Sequence, residues 1–245
     1  MKDYTASPNL LKDRVILVTG AGDGIGRAAS KAYAAHGATV ILLGRTTRKL
    51  ENVYDEIVGV GYPEPAIYPM NLEGASPKDY EDLGNTLEKE FGKLDGLLHN
   101  ASLLGTLTPI EHYDIALWHK VMQVNVNAPF MLTQACLGLL KKSPDASVIF
   151  TTSSVGRKGR AYWGAYSVSK FANEGFMQIL ADELENTPIR VNSLNPKGTR
   201  TQMRAQAYPG EDPNTLPTPD EIMSVYLYLM GPDSKEVNGQ ALDAR

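Results

Sequence analysis

Short apolar runs alternate along the chain with longer stretches in which apolar residues recur every three or four positions. Val15 to Thr19 (V-I-L-V-T), Thr39 to Leu43, Ala66 to Met70, Gly96 to His99, Ser147 to Thr151 and Arg190 to Asn195 read as strands. The first of these is short, apolar and β-branched, which suits a strand buried on both faces. Helical patterns lie between the runs, near 25–36, 47–59, 76–91, 114–140 and 164–186. This alternation predicts an α/β fold, a doubly wound parallel sheet with helices on both faces, in which ligands bind outside the carboxyl ends of the strands. Gly20, Asn100, Ser153 and Asn195 each fall at or just after a predicted strand end, so one crevice would gather them.

Two stretches add chemistry to this frame. Gly20-Ala21-Gly22-Asp23-Gly24-Ile25-Gly26 follows the first strand directly and leads into the first helix. Glycines let the backbone approach a pyrophosphate, while free amides and the helix dipole face its charge. The spacing G-x-x-x-G-x-G differs from the commoner G-x-G-x-x-G, and by itself it serves a tight strand-to-helix turn equally well. The second stretch is Y-S-V-S-K, whose spacing of four places Tyr166 and Lys170 on one helix face. A fixed ammonium favours the phenolate, and bringing a phenol from about 10 to about 7 takes about 4 kcal/mol. With twelve tyrosines in the chain, a chance pair on an exposed helix is the competing reading.

Composition narrows the function classes. A chain of 245 residues buries about 70 to 75% of its unfolded surface in one core, so a single domain over 1–245 is expected. The net charge of −4 offers no general attraction to nucleic acid or to an anionic membrane. Cys136, the sole cysteine, sits in an apolar stretch and reads as a buried thiol. The four histidines show no metal-ligand spacing, so no metal is called for. Met1 to Asp13 lacks the apolar core of a signal peptide, and no run approaches the roughly 20 apolar residues of a membrane span. A soluble, cytoplasmic protein is the expectation.

Taken in order, the motifs resemble those of the short-chain dehydrogenase/reductase family over nearly the whole chain. They are T-G-A-G-D-G-I-G at Thr19 to Gly26, H-N-A-S at His99 to Ser102, V-N-V-N at Val124 to Asn127, S-S-V-G at Ser153 to Gly156, Y-S-V-S-K at Tyr166 to Lys170 and N-P-K-G-T at Asn195 to Thr199. The resemblance implies a Rossmann-like fold and hydride transfer between a nicotinamide cofactor and a carbonyl or alcohol. It also implies an Asn-Ser-Tyr-Lys tetrad at Asn125, Ser153, Tyr166 and Lys170, with Ser153 preferred to Ser154 by its distance from the tyrosine. In that scheme Tyr166 is the acid or base, and Ser153 holds the substrate oxygen. Lys170 lowers the tyrosine's pKa and grips the nicotinamide ribose, and Asn125 holds a water of a proton relay. Cofactor contacts are implied at Gly20, Asp23, Gly24, Ile25, Gly26, Arg45, Asn71, Leu72, Asn100, Tyr166, Lys170, Pro196, Gly198 and Thr199. Leu43-Gly44-Arg45 ends the second strand without a carboxylate. Arg45 would fork onto a 2′-phosphate, Gly44 would leave room and Arg48 would assist, so NADP(H) is preferred over NAD(H).

Three positions depart from the family pattern. Asn71 stands for an acid, Ser102 for a glycine, and Lys197 for a glycine whose place would be strained if its φ is positive. A small substrate cap is expected around 200–219, with the 157–163 loop and Leu103 to Leu107 as further walls. Arg157, Lys158, Arg160, Lys197, Arg200 and Arg204 would suit an anionic substrate, whereas Tyr162, Trp163, Met203 and Tyr208 would suit an apolar or aromatic one. The resemblance also implies a homodimer or homotetramer through the helices near 114–140 and 164–186. The alternative function is a non-catalytic NADP(H)-binding sensor or interaction protein on the same fold.

Overall fold

The computed structural model describes residues 4–245. Its first strand, β1 (Val15–Thr19), leads through the glycine turn into α1 (Gly24–Ala35), and the alternation continues with β2 (Thr39–Gly44), α2 (Thr47–Gly59), β3 (Ala66–Pro69), α3 (Pro77–Phe91) and β4 (Gly96–His99). The second half holds α4 (Ile115–Met122), α5 (Ala128–Leu140), β5 (Ala146–Thr151), α6 (Gly164–Glu183), β6 (Ile189–Asn195), α7 (Gln202–Ala207), α8 (Met223–Met230) and β7 (Ala241–Asp243). The strands form one sheet in the order β3-β2-β1-β4-β5-β6-β7, and every pairing is parallel. The chain reverses its direction of winding between β1 and β4, which opens a crevice at their carboxyl ends.

Alternating strand residues feed two cores. Ile16, Val18, Val40 and Leu42 pack with α1, α2 and α8. Leu17, Ile41, Leu43, Leu97, Val148 and Phe150 pack with α3, α5 and α6 on the opposite face. Local signals start the helices. Asp23 caps α1 by accepting from the Gly24 amide at 2.8 Å, and Ser76 with Asp79 forms a capping box before Pro77.

The structure departs from the sequence pattern in three places. The helix expected over 114–140 is interrupted by a π-helical turn at Gln123–Asn127. Pro129, in the first turn of α5, has no N–H to donate to the carbonyl of Asn125, so the regular ladder cannot run through this point. The M-S-V-Y-L-Y-L-M run carries no helical period, yet it folds as α8, because six of its eight residues are buried and no polar face is needed. The three-residue β7 adds to the open edge of β6, pairing Ser193 with Ala241 and Asn195 with Asp243.

Candidate functional site

The crevice is stitched at its base by Thr19. Its hydroxyl accepts from the amides of Asn100 and Ala101 at 2.9 and 3.0 Å and donates to the Leu98 carbonyl at 3.2 Å. Above it the glycine turn is bare backbone. Gly20 has φ +66°, and a Cβ at Gly26 would lie 2.2 Å from the Gly20 carbonyl oxygen and 2.6 Å from Asn100 Nδ2. The result is a close-packed turn at a helix N-terminus, a cradle suited to a pyrophosphate. Asp23 faces the cleft and is bonded to Lys49 at 2.5 Å, which holds its carboxyl below the usual range.

A cleft of about 470 Å³ runs from this turn to α7. Gly20, Asp23, Gly24, Ile25, Arg45, Asn71, Leu72, Asn100, Ser153, Tyr166, Lys170, Pro196 and Thr199 all line it. Gly26, Gly198 and Asn125 are not among its lining residues. Gly26 closes the back of the turn, and Gly198 packs under Leu216 and offers its carbonyl to Arg245. Asn125, 1% exposed, uses its side chain as a clamp. Its Oδ1 accepts from the Leu103 amide at 2.8 Å. Its Nδ2 donates to the Leu103 carbonyl at 2.9 Å and to Ser169 Oγ at 3.0 Å. The segment 103–104 is thereby fixed as a wall of the cleft.

Ser153, Tyr166 and Lys170 converge from the end of β5 and from α6. Ser153 faces the cleft and Ser154 does not. Tyr166 is 8% exposed and Lys170 3%. The sequence pairing predicts a lowered phenol pKa, and the structure gives the reverse. Burial raises Tyr166 to about 12, with the Ser153 hydroxyl acting the other way. Lys170 has its Nζ on the Thr151 carbonyl at 2.8 Å and 5.5 Å from the tyrosine ring centroid, so it does not offset that burial. Burial brings Lys170 itself down to about 8, against the supporting charge of Glu174.

Glu174 escaped the sequence analysis. It lies one turn beyond Lys170 on α6, is 6% exposed, and accepts from Thr152 Oγ1 at 2.8 Å, Arg157 Nε at 2.9 Å and Ser193 Oγ at 2.6 Å. Its spacing of four from the lysine was the available signal. Arg157 continues to Asp243 at 2.9 Å, and Asp243 pairs with Lys197 at 2.6 Å. Lys197 has φ +62°, so lysine occupies the left-handed place suited to glycine, at a cost of about 1 kcal/mol.

Other expectations shift in detail. Gly44 lines the cleft, and a Cβ there would lie 3.1 Å from Leu50 Cδ2, so glycine at this place also serves packing of α2. Arg48 pairs with Glu51 and lies outside the cleft, where Lys49 and Thr46 join Arg45 instead. Asn71 faces the cleft, and its Oδ1 accepts from the Glu73 amide at 3.3 Å. Ser102 lines the cleft with a buried hydroxyl that has no partner among the described residues. Of the expected cap, Thr201 to Ala207 reaches the cleft and 208–219 does not. Among the described residues no cluster of three His, Cys, Asp or Glu is placed to hold a metal, and no helix is long and apolar enough to cross a membrane.

Comparison with known proteins places the chain in a family. The family model described as short chain dehydrogenase matches residues 14–212. The uncharacterized oxidoreductase YciK of Escherichia coli K12 is 52% identical over 242 residues, covering 99% of this chain and 96% of that protein. A solved short chain dehydrogenase from Pseudomonas syringae superposes with a TM-score of 0.98 at 62% identity, over 99% of each chain. One from Escherichia coli CFT073, complexed with NADPH, gives 0.96 at 53% identity over 98% of this chain and 99% of its own. With its parallel sheet, glycine turn and buried tyrosine-lysine pair at the crevice, the chain belongs to the short-chain dehydrogenase/reductase family of oxidoreductases.

Proposed function

We propose that the protein interconverts a small-molecule carbonyl compound and its alcohol, using NADP(H) in preference to NAD(H), with Tyr166 as acid or base. The observation that carries this reading is the convergence of Ser153, Tyr166 and Lys170 in the cleft that begins at the bare glycine turn. A phenol at about 12 is protonated throughout the neutral range. Tyr166 is therefore ready to donate to a carbonyl oxygen, and the reductive direction needs no prior ionisation. Ser153 holds that oxygen by a hydrogen bond and stabilises charge developing on it. Lys170, buried and brought down to about 8, would hold the cofactor's ribose hydroxyls, and its ammonium would favour the phenolate. The nicotinamide cofactor supplies or accepts the hydride. Asn125 serves the site through the clamp of its side chain on Leu103 and Ser169, and the relay water that the family resemblance implies is assigned to this residue.

The cofactor preference is supported by Arg45, exposed at the end of β2 and free of ion pairs among the described residues, with Lys49 beside it and no carboxylate at that position of the strand. Structural relatives were solved with NADP and with NADPH. The test is NADPH oxidation across a panel of aldehydes, ketones and quinones with wild type and Tyr166→Phe. Loss of turnover in the variant with NADPH binding retained is expected, a fall of about 100-fold or more. Tight NADPH binding without turnover in wild type points to the sensor function instead.

The chain is also proposed to assemble as a homodimer or homotetramer. Val168, Phe171 and Ile179 on α6 and Phe130 on α5 are exposed large apolar residues on the helices expected to associate. Light scattering should return a multiple of the 26.7 kDa chain mass; a monomer overturns the assignment.

A further inference from the structure

The candidate substrate-binding cations that reach the cleft are paired within the protein. Of those that raised the prospect of an anionic substrate, only Lys197 and Arg204 line the cleft. Lys197 is paired with Asp243. Arg204 donates to both oxygens of Glu211 at 2.6 Å and lies 3.7 Å over the Tyr208 ring. Outside the cleft, Arg157 is bound by Glu174 and Asp243, and Arg160 donates to the Tyr208 hydroxyl at 2.9 Å. A substrate carboxylate or phosphate entering beside α7 would lose water and find Lys197 and Arg204 already paired with carboxylates.

An apolar cluster backs this end of the cleft, with Leu104, Trp163, Tyr166, Met203 and Ala207 on the lining. Leu104, Val155, Trp163 and Tyr166 form one buried cluster, with Met203, Ala207 and Tyr208 packed on it. The Trp163 ring centroid is 5.8 Å from that of Tyr166 and 5.9 Å from that of Tyr208, so a group resting on Trp163 lies beside the proposed proton donor. The indole is held from both sides in the chain. Tyr162 has φ +73° and Gly164 φ +34°, and a Cβ at Gly164 would meet Tyr113 Cε2 at 2.5 Å. On α7, Met203 and Ala207 form a one-turn apolar pair, and Gln202 and Gln206 line the cleft with neutral amides.

We propose that the substrate is an uncharged ketone or aldehyde, or its alcohol, whose body is an aromatic or alicyclic ring packed against Trp163 and Met203. The proposal rests on the carbonyl-reduction reading above, and it names Trp163 as the residue that sets ring preference. The pocket takes the ring as its apolar payload and leaves orientation to a few polar groups at the rim.

The experiment compares acetophenone, cyclohexanone and 4-acetylbenzoate with NADPH. Wild type should use either neutral ring at least about tenfold better in kcat/KM than the carboxylate. Trp163→Ala should cost the ring ketones about tenfold while propanal changes little, and Trp163→Phe, a safer substitution for folding, should keep most of the ring preference. Glu211→Gln should release Arg204 and narrow the gap toward 4-acetylbenzoate. Equal or better use of the carboxylate by wild type, or a ring preference indifferent to Trp163→Ala, overturns the proposal. A second readout separates it from the reading beneath it. The neutral ring compounds are titrated into NADP⁺-loaded Tyr166→Phe, with tryptophan fluorescence as signal. Their binding, with no turnover of any carbonyl by wild type, leaves the ligand class standing and overturns carbonyl reduction. Failure to bind, with turnover of other carbonyls intact, does the opposite.

Discussion

Glu174→Gln tests whether the buried carboxylate behind Lys170 holds the site together. The substitution keeps shape and removes charge. Three donors now end on that carboxylate, the hydroxyls of Thr152 and Ser193 and the Arg157 guanidinium, at 2.6 to 2.9 Å. Hydrogen bonds to a charged group contribute about 1.5–3 kcal/mol each against about 1 for neutral ones. Breaking a fully buried ion pair costs about 3–5 kcal/mol. Arg157 is 28% exposed at its side chain and keeps Asp243, so the lower end applies. A loss of about 3 kcal/mol is expected, or about 6–12 °C in Tm for a chain of this size. Urea melts should show a lower midpoint at unchanged m. A second effect separates a positioning role from a merely structural one. Glu174 raises the pKa of Lys170, so its neutralisation lowers that pKa further below about 8. The ammonium is then lost earlier as pH rises, and the alkaline fall in NADPH affinity, followed by fluorescence, should move to lower pH. A stability change under about 0.5 kcal/mol, or an unmoved affinity profile, would refute the reasoning.

Two further perturbations address cofactor choice and acid stability. Arg45→Ala should weaken NADPH binding about tenfold and leave NADH binding unchanged, because a guanidinium fork recognises the 2′-phosphate alone; equal effects on the two cofactors would remove Arg45 from that role. His99 is buried, stacked on Phe150 with centroids 4.6 Å apart, and its pKa falls from 6.5 to about 3 through burial and the nearby Lys170 charge. The unfolded chain therefore takes up the proton first as pH falls, and this contribution, complete above 6.5, is lost toward 3 at about 1.4 kcal/mol per pH unit. His99→Gln should flatten the acid limb of a stability-pH curve from urea melts, and an unchanged slope would mean that other groups govern it.

Strand-helix alternation was legible because a strand buried on both faces must be a short apolar run, and a covering helix must repeat every 3.6 residues. The glycine turn, Ser153 and the Tyr166-Lys170 spacing were legible because close backbone approach and a shared helix face are local constraints. Elements without a local constraint were not. α8 has no polar face to report its period, and β7 exists by pairing with a strand nearly fifty positions earlier; the π turn at Asn125 did have a local signal, Pro129 four residues on, which the helical period over 114–140 outweighed. Charge was the least legible of all. Arg157, Lys197 and Arg204 read as free cations in one dimension, and only the fold brings Glu174, Asp243 and Glu211 to them. The direction of the Tyr166 shift was decided there too, since neighbours along the helix predict the ammonium, whereas burial depends on what packs above the ring from Leu104, Trp163 and α7. Local sequence thus determined the candidate reactive groups and the strand end and helix that carry them, and tertiary packing decided their solvation, because dielectric and ion pairing are properties of the whole fold.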